Sequence, residues 1–253
     1  MHQTPAWPPA SSRAELLVAP ELRLFLRRQY RHDPILIGCD GVSTFGHVVQ
    51  SAGVPLTEAG ALTVNGRLVP PGYRPRGGDV MRVSAVSRPQ RLPGGTARAF
   101  VLDVHLGTLA RRLRLVGIDA AYTNDAGDDD LIAQANDQRR VLLTQDRRLL
   151  CRRSLDTGAY VRGAAPDDQF ADVLDRFAPP LAPWTRCLAC NGLLAPVAKA
   201  CVDEVLRPGT RRTYQVFARC LTCGKVYWRG AHADHLQGVI DRAMTIVAAA
   251  RSA

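Results

Sequence analysis

The chain has 253 residues, enough for one large domain or two to three small ones, and 46% apolar content gives each a core, which excludes an obligately disordered chain. It carries 33 basic against 23 acidic residues, a formal +10, and 31 of the basic residues are Arg. No window offers the roughly 18 to 20 apolar residues of a bilayer span, and the N-terminal stretch lacks the apolar core of a signal peptide, so a soluble, cytoplasmic protein with no membrane partner is expected.

Arg suits bidentate phosphate contact, and an excess of it is equally what GC-rich coding produces. Its distribution says more: the formal charge is +5 over residues 1–97, −1 over 98–180 and +6 over 181–253. Two basic flanks around an acidic centre suit a metal-assisted enzyme on a polyanion. Three domains with ordinary surfaces give the same pattern.

In chain order, residues 1–13 are rich in Pro, Ala and Ser and read as a flexible lead-in. Residues 14–87 follow as the first domain. Phe45, Val48, Val49 and Ala52 stand at helical spacing, with Ser43 or Thr44 as N-cap and Gly53 as the stop. Leu62–Val64 and Arg67–Val69 flank Asn65-Gly66, a two-residue hairpin turn. Asp79–Ala85 alternates as a further strand, and strand, helix, hairpin and strand together suggest a β-grasp module. Its Gly77-Gly78 and the later Gly94-Gly95 are both internal, so neither is a free carboxylate that could be activated for sulfur transfer.

Residues 88–98, with two Pro and a Gly pair, read as a linker to a second domain over 99–180. Arg98–Val104 is a strand containing Asp103. His105–Val116 is a helix with Leu106, Leu109, Ala110, Leu113 and Val116 on one face, Arg111, Arg112 and Arg114 off it, and Gly117 as the stop. Leu131, Ile132 and Ala135 mark a second helix, and Val141–Thr144 is a strand followed by Gln145-Asp146. The β-α-α-β order argues for a parallel sheet with helical crossovers.

Open parallel sheets bind ligands at the C-terminal ends of their strands. Asp103 and Asp146 stand at such ends, and Asp128, Asp129 and Asp130 add a third acidic feature at a helix N-terminus. Carboxylates are the hard ligands of Mg²⁺ or Mn²⁺, and such ions promote attack of water on a phosphodiester. Taken singly, each Asp also reads as a loop start or a helix cap. Their joint placement favours a catalytic cation site.

Residues 181–236 carry Cys187-x-x-Cys190 and Cys220-x-x-Cys223, 29 residues apart, a pattern for structural Zn²⁺ on four thiolates with no open position for catalysis. Lys199 to Arg219 is expected to supply strands in the long spacer, and the metal to fold a segment lacking its own core. Arg207, Arg211, Arg212, Lys225 and Arg229, among Tyr214, Tyr227 and Trp228, offer cations and a stacking surface to single-stranded RNA, or the aromatics close the ribbon's core. Residues 237–253 read as a C-terminal helix or tail.

The segment FVLDVHLGTLARRLRLVGIDAAYTNDAGDDDLIAQANDQRRVLLTQDRRLL, residues 100–150, resembles the Mut-seven C-terminal ribonuclease family, a branch of the PIN-like nucleases. The resemblance rests on Asp103, the helix Leu106–Arg114, the helix start Asp128–Leu131 and the strand end Leu142–Asp146, and continues through RCLACN and CGKVYWRGAH. Residues 14–87 are similar to the ubiquitin-like domain that often precedes this nuclease. The resemblance implies a PIN-like α/β/α fold, Mg²⁺ or Mn²⁺ as cofactor and RNA as substrate. It makes Asp103, Asp128 and Asp146 the metal ligands, with Asp129 or Asp130 able to assist, and gives His105 no role. Arg111 and Arg114 match the family's helix and are candidate phosphate contacts, as is Arg147; a solvated helix face is the other reading. A non-catalytic RNA-binding or adaptor protein with a vestigial acidic site remains the alternative function.

Overall fold

The computed structural model describes residues 13–32, 34–92, 95, 99–230 and 233–252, so most of the expected lead-in, Gly94 and most of the second half of the expected linker lie outside the described residues. The chain divides into two compact units, residues 1–87 with 146–153, and residues 88–145 with 154–253.

The first unit is built on a five-stranded mixed sheet. Its strands are β1 (Arg13–Val18), β2 (Ile35–Gly38), β3 (Ala59–Val64), β4 (Arg67–Leu68) and β5 (Val80–Ala85), in the order β2-β1-β5-β3-β4. β1 and β5 run parallel and the other pairs antiparallel. Alternation sends Ala14, Leu16, Val18, Met81 and Val83 inward. The sheet is accompanied by helix α1 (Phe45–Ala52), whose Phe45, Val48, Val49 and Ala52 are buried. Thr44 caps it by accepting from the His47 amide at 3.3 Å, and Gly53 ends it, as the spacing predicts. Asn65 and Gly66 both have positive φ, as the hairpin turn requires.

The second unit holds a four-stranded parallel sheet of β6 (Ala99–Leu102), β7 (Asp119–Tyr122), β8 (Val141–Thr144) and β9 (Gly158–Tyr160), ordered β7-β6-β8-β9. Between strands run α2 (Gly107–Leu115) and α3 (Asp128–Asp137). The one-turn α4 (Arg147–Leu150) clusters with the first unit, and α5 (Pro166–Phe177) follows β9. β7, β9 and α5 are additions to the expected β-α-α-β order. The strands are only four and three residues long, too short to show a period. Phe170, Val173, Leu174 and Phe177 did carry a helical signal.

Phe100, Leu102, Val141 and Leu143 join one core with α2 and α5. Val101 and Leu142 are equally buried outside that cluster, and α3 packs on β6 and β8. Strands buried on both sides read as continuous apolar runs, and all four residues of β8 are buried. Gly117 stops α2 and also permits a close approach: a Cβ there would lie 1.9 Å from the Ala182 carbonyl oxygen. That carbonyl belongs to the segment whose Ala182 and Trp184 amides donate to Val116 and Leu115.

The expected linker begins as structure. Arg88 forms ion pairs with Asp172 and Asp175 on α5, both at 2.7 Å, and Gln90 exchanges hydrogen bonds with Arg176.

The cysteine segment forms a three-stranded antiparallel sheet, β10 (Leu194–Val197), β11 (Phe217–Cys220) and β12 (Val226–Tyr227). Of the span from Lys199 to Arg219, where strands were expected, β11 occupies the end, and between Lys199 and Thr213 the chain makes two short 3-10 turns and helix α6 (Pro208–Thr213). Pro208 is at a first-turn position, where its missing N–H costs nothing. Val202, Leu206 and Phe217 make a small apolar cluster, so this segment does have a minor core of its own. Helix α7 (Ala233–Ser252) starts before the expected boundary at residue 237 and presses Val239, Ile240, Ala243, Val247 and Ala250 into the core of the parallel sheet.

Candidate functional site

In the parallel sheet, β6 connects through α2 to β7 on one side, and β8 continues to β9 on the other. The strand order therefore reverses between β6 and β8, and the crevice beyond their C-terminal ends is where open sheets bind ligands. Asp103 immediately follows β6. Its carboxylate is nearly buried and fixed twice: Oδ1 accepts from the Val104 amide at 2.6 Å, and Oδ2 accepts from the Thr144 hydroxyl at 2.6 Å. Thr144, the last residue of β8, is fully buried. The sequence shows this Thr in the Leu-Leu-Thr-x-Asp strand end, but only the pairing of β6 with β8 reveals it as the group that orients Asp103.

Asp146 lies two residues past β8, is exposed, and accepts from the Arg148 amide at 2.7 Å as the cap of α4. Asp128, Asp129 and Asp130 are all exposed in the first turn of α3, which is capped by no side chain. Among the described residues, the acids do not form a group of three with ligand atoms within 4.8 Å of one another. Gly107 of α2 lies against Tyr122, whose hydroxyl donates to the Val104 carbonyl at 2.8 Å; a Cβ at 107 would come within 2.7 Å of that hydroxyl oxygen. The turn after Asp103 is thus pinned from β7.

The four expected cysteine ligands do form one group, with all Sγ atoms within 4.8 Å of one another. Cys187 and Cys223 sulfurs are 3.7 Å apart and those of Cys190 and Cys220 are 3.5 Å apart. These separations far exceed a disulfide bond, and four thiolates about 2.3 Å from a tetrahedral zinc lie about 3.8 Å apart. The donor set therefore fits such an ion. Tyr227 lies 3.0 Å from the Cys187 sulfur, and the Thr222 and Cys223 amides donate to Cys220. Burial opposes ionisation of Cys187, but the Tyr227 hydroxyl and the Cys190 and Ala189 amides outweigh it and bring the thiol down to about 6. Burial, with hydrogen bonds to the other thiols, pushes Cys190 up to about 12.

Arg114 corrects an expectation. It is 2% exposed and donates to the carbonyls of Ala120, Leu188 and Ala189 at 2.8 to 3.1 Å. A guanidinium spent on three backbone carbonyls does not reach phosphate; it fastens α2 to the first cysteine knuckle. Of the other cations expected at RNA, Arg111, Arg147, Arg212, Lys225 and Arg229 are exposed. Arg147 stands 5.4 Å over the Phe25 ring, and Arg211 pairs with Asp203 at 3.2 Å. Trp228 is 40% exposed, more open than a residue that closes a core.

The knuckle has a second tie that the sequence did not reveal. Asp119, at the start of β7, accepts from Arg140 at 2.5 Å, Asn191 at 2.8 Å and Arg186 at 3.2 Å. Burial alone would raise its carboxyl, but the hydrogen bonds of Arg140 and Asn191 and the charges of Arg140 and Arg186 hold it below the usual carboxylate range. A lowered folded value contributes stability above the unfolded pKa of about 3.9, lost as pH falls through the folded value. Asp119→Ala leaves two guanidinium groups without this carboxylate and is expected to cost about 2–4 kcal/mol at neutral pH. Urea unfolding should show that cost shrinking in acid below about pH 3.9; an unchanged midpoint at pH 7 would refute the tie.

A five-stranded mixed sheet, a parallel α/β domain with an acid at its switch point and a four-cysteine cluster occur in one chain, and the family comparison makes its role nuclease-type. The chain belongs to the Mut7-C RNAse domain family: that family's model matches residues 98–240, and the Mut7-C ubiquitin model matches residues 11–91. No curated protein and no solved structure matched the chain. Among the described residues no helix is long and apolar enough to cross a membrane.

Proposed function

We propose that this protein is a metal-dependent ribonuclease of PIN-like, three-layered architecture that hydrolyses RNA phosphodiester bonds at the β6/β8 switch point. The observation that carries this reading is Asp103, nearly buried and held by Thr144 and the Val104 amide where a ligand would enter, in a chain of an RNase-domain family. Asp146 and Asp128, with Asp129 or Asp130 assisting, complete the ligand set. Mg²⁺ is commonly held by one or two carboxylates, with waters and substrate phosphates filling the rest of its shell, so a closed cage of carboxylates is not required. When bound, the ion acidifies a water and neutralises the leaving oxygen. Thr144 keeps the Asp103 carboxylate aimed, and the exposed Arg111 on α2 supplies a phosphate contact. A structural zinc on Cys187, Cys190, Cys220 and Cys223 holds the ribbon, whose Arg211, Arg212, Lys225 and Arg229 bind RNA.

Asp128, Asp129 and Asp130 stand in the first turn of α3, where acids also serve the helix dipole, and this favours a second reading, an RNA-binding adaptor that has lost catalysis. Incubating the purified protein with structured and unstructured RNA separates the two. Cleavage that appears only on adding Mn²⁺ or Mg²⁺ is expected; intact RNA under every metal condition would leave the adaptor.

A further inference from the structure

We infer that the ribbon carries a stacking site for an unpaired nucleobase, in a groove between Trp184 and Trp228. This deepens the ribonuclease reading and rests on it for the identity of the polymer. A groove of about 420 Å³ opens between β11, β12, the start of α7 and the segment before the first knuckle. Its walls include Trp184, Phe217, Tyr227 and Trp228, an unusual concentration in a chain with 6% aromatic residues.

Of these rings Trp228 is presented, Trp184 and Tyr227 are half-buried, and Phe217 is buried behind them. Trp228 is 40% exposed and is backed by Phe217, ring centroids 6.3 Å apart at 58°. Trp184 adopts a left-handed backbone, φ 64°, unusual for a bulky residue, and its amide is anchored on the Leu115 carbonyl at 3.1 Å. Backbone held in so sparsely populated a region points to a site that needs the side chain there.

The charge of the rim selects the occupant. The exposed Lys225 and Arg229 line this groove and the cleft that adjoins it, beside Arg186, which is paired with Asp119, and among the described residues no acidic residue lines either. The Arg229 guanidinium stands 5.3 Å over the Trp184 ring, joining a cation to the aromatic wall. Residues 181–253 carry a formal +6. Aromatic faces beside cations fit a single strand, whose bases stack while its phosphates meet the rim; duplex RNA keeps its bases stacked on one another and has none to offer.

The test is binding of a fluorescein-labelled oligoadenylate to the full chain, zinc retained and no Mg²⁺ or Mn²⁺ added, with duplex RNA of the same length as comparison. Trp228→Ala is expected to weaken oligoadenylate binding about tenfold and leave duplex binding unchanged, and Trp228→Tyr to restore most of the loss. Zinc content confirms that each variant is folded. Oligoadenylate binding unaffected by Trp228→Ala, or equal losses for single strand and duplex, would overturn the site. Cleavage measured separately with Mn²⁺ keeps the two readings apart. Cleavage with no Trp228 effect removes only the groove, and Trp228-dependent binding without cleavage removes only the nuclease.

Discussion

Asp103→Asn is expected to lower Mn²⁺-dependent RNA cleavage by about 100- to 1000-fold, because a bound metal contributes several kcal/mol to the transition state and each 1.36 kcal/mol is a factor of ten. The substitution is close to isosteric. Its amide oxygen can still accept from the Val104 amide, so the turn into α2 keeps its cap while the ligand charge is lost. Thr144→Val removes only the hydroxyl that orients Asp103 and is expected to cost about 10- to 100-fold, the usual range for a partner of a metal ligand. For Thr144→Val, raising Mn²⁺ should recover part of the rate if the hydroxyl acts through metal affinity. Full activity in Asp103→Asn, with thermal unfolding unchanged, would remove the acidic site from the mechanism.

The second large effect is expected from the cysteine cluster. Native mass spectrometry should find one zinc per chain, and Cys220→Ser should abolish it. Structural zinc contributes about 10–16 kcal/mol in small zinc-folded peptides, far more than a three-residue apolar cluster supplies. Chelation should therefore expose the amides of β10, β11 and β12 to hydrogen exchange while β6 and β8 stay protected. Affinity should fall with decreasing pH, since protons compete for the thiolates. Zinc-free protein with a protected ribbon would show that the cysteines are not held by metal.

Much of this was legible in the sequence wherever the signal is local. The helix between Thr44 and Gly53, the Asn65-Gly66 turn and the apolar run Val141–Thr144 were read at nearly their observed bounds. So was the placement of Asp103 and Asp146 after strands, because a carboxylate at the end of an apolar run is a local pattern. What escaped depends on partners remote in the chain. Arg114 lies off the apolar face of its helix by spacing, and nothing near it announces the carbonyls of Leu188 and Ala189 that bury it. Thr144 and Asp119 likewise acquire their roles only when strands and knuckle come together. The spacer from Lys199 to Arg219 holds one of the expected strands, β11, only at its end; before it, Pro208 and the packing of Val202 and Leu206 on Phe217 favour helical turns.

Helix α7 closes the parallel sheet's core with residues 239–250, yet it follows the cysteine ribbon in the chain. Synthesis consequently delivers all four thiolates before the last wall of the α/β domain exists. The four cysteines are thus free to assemble while that domain is still open, and any fragment ending at residue 180 would expose an apolar floor meant for a helix it has not yet received.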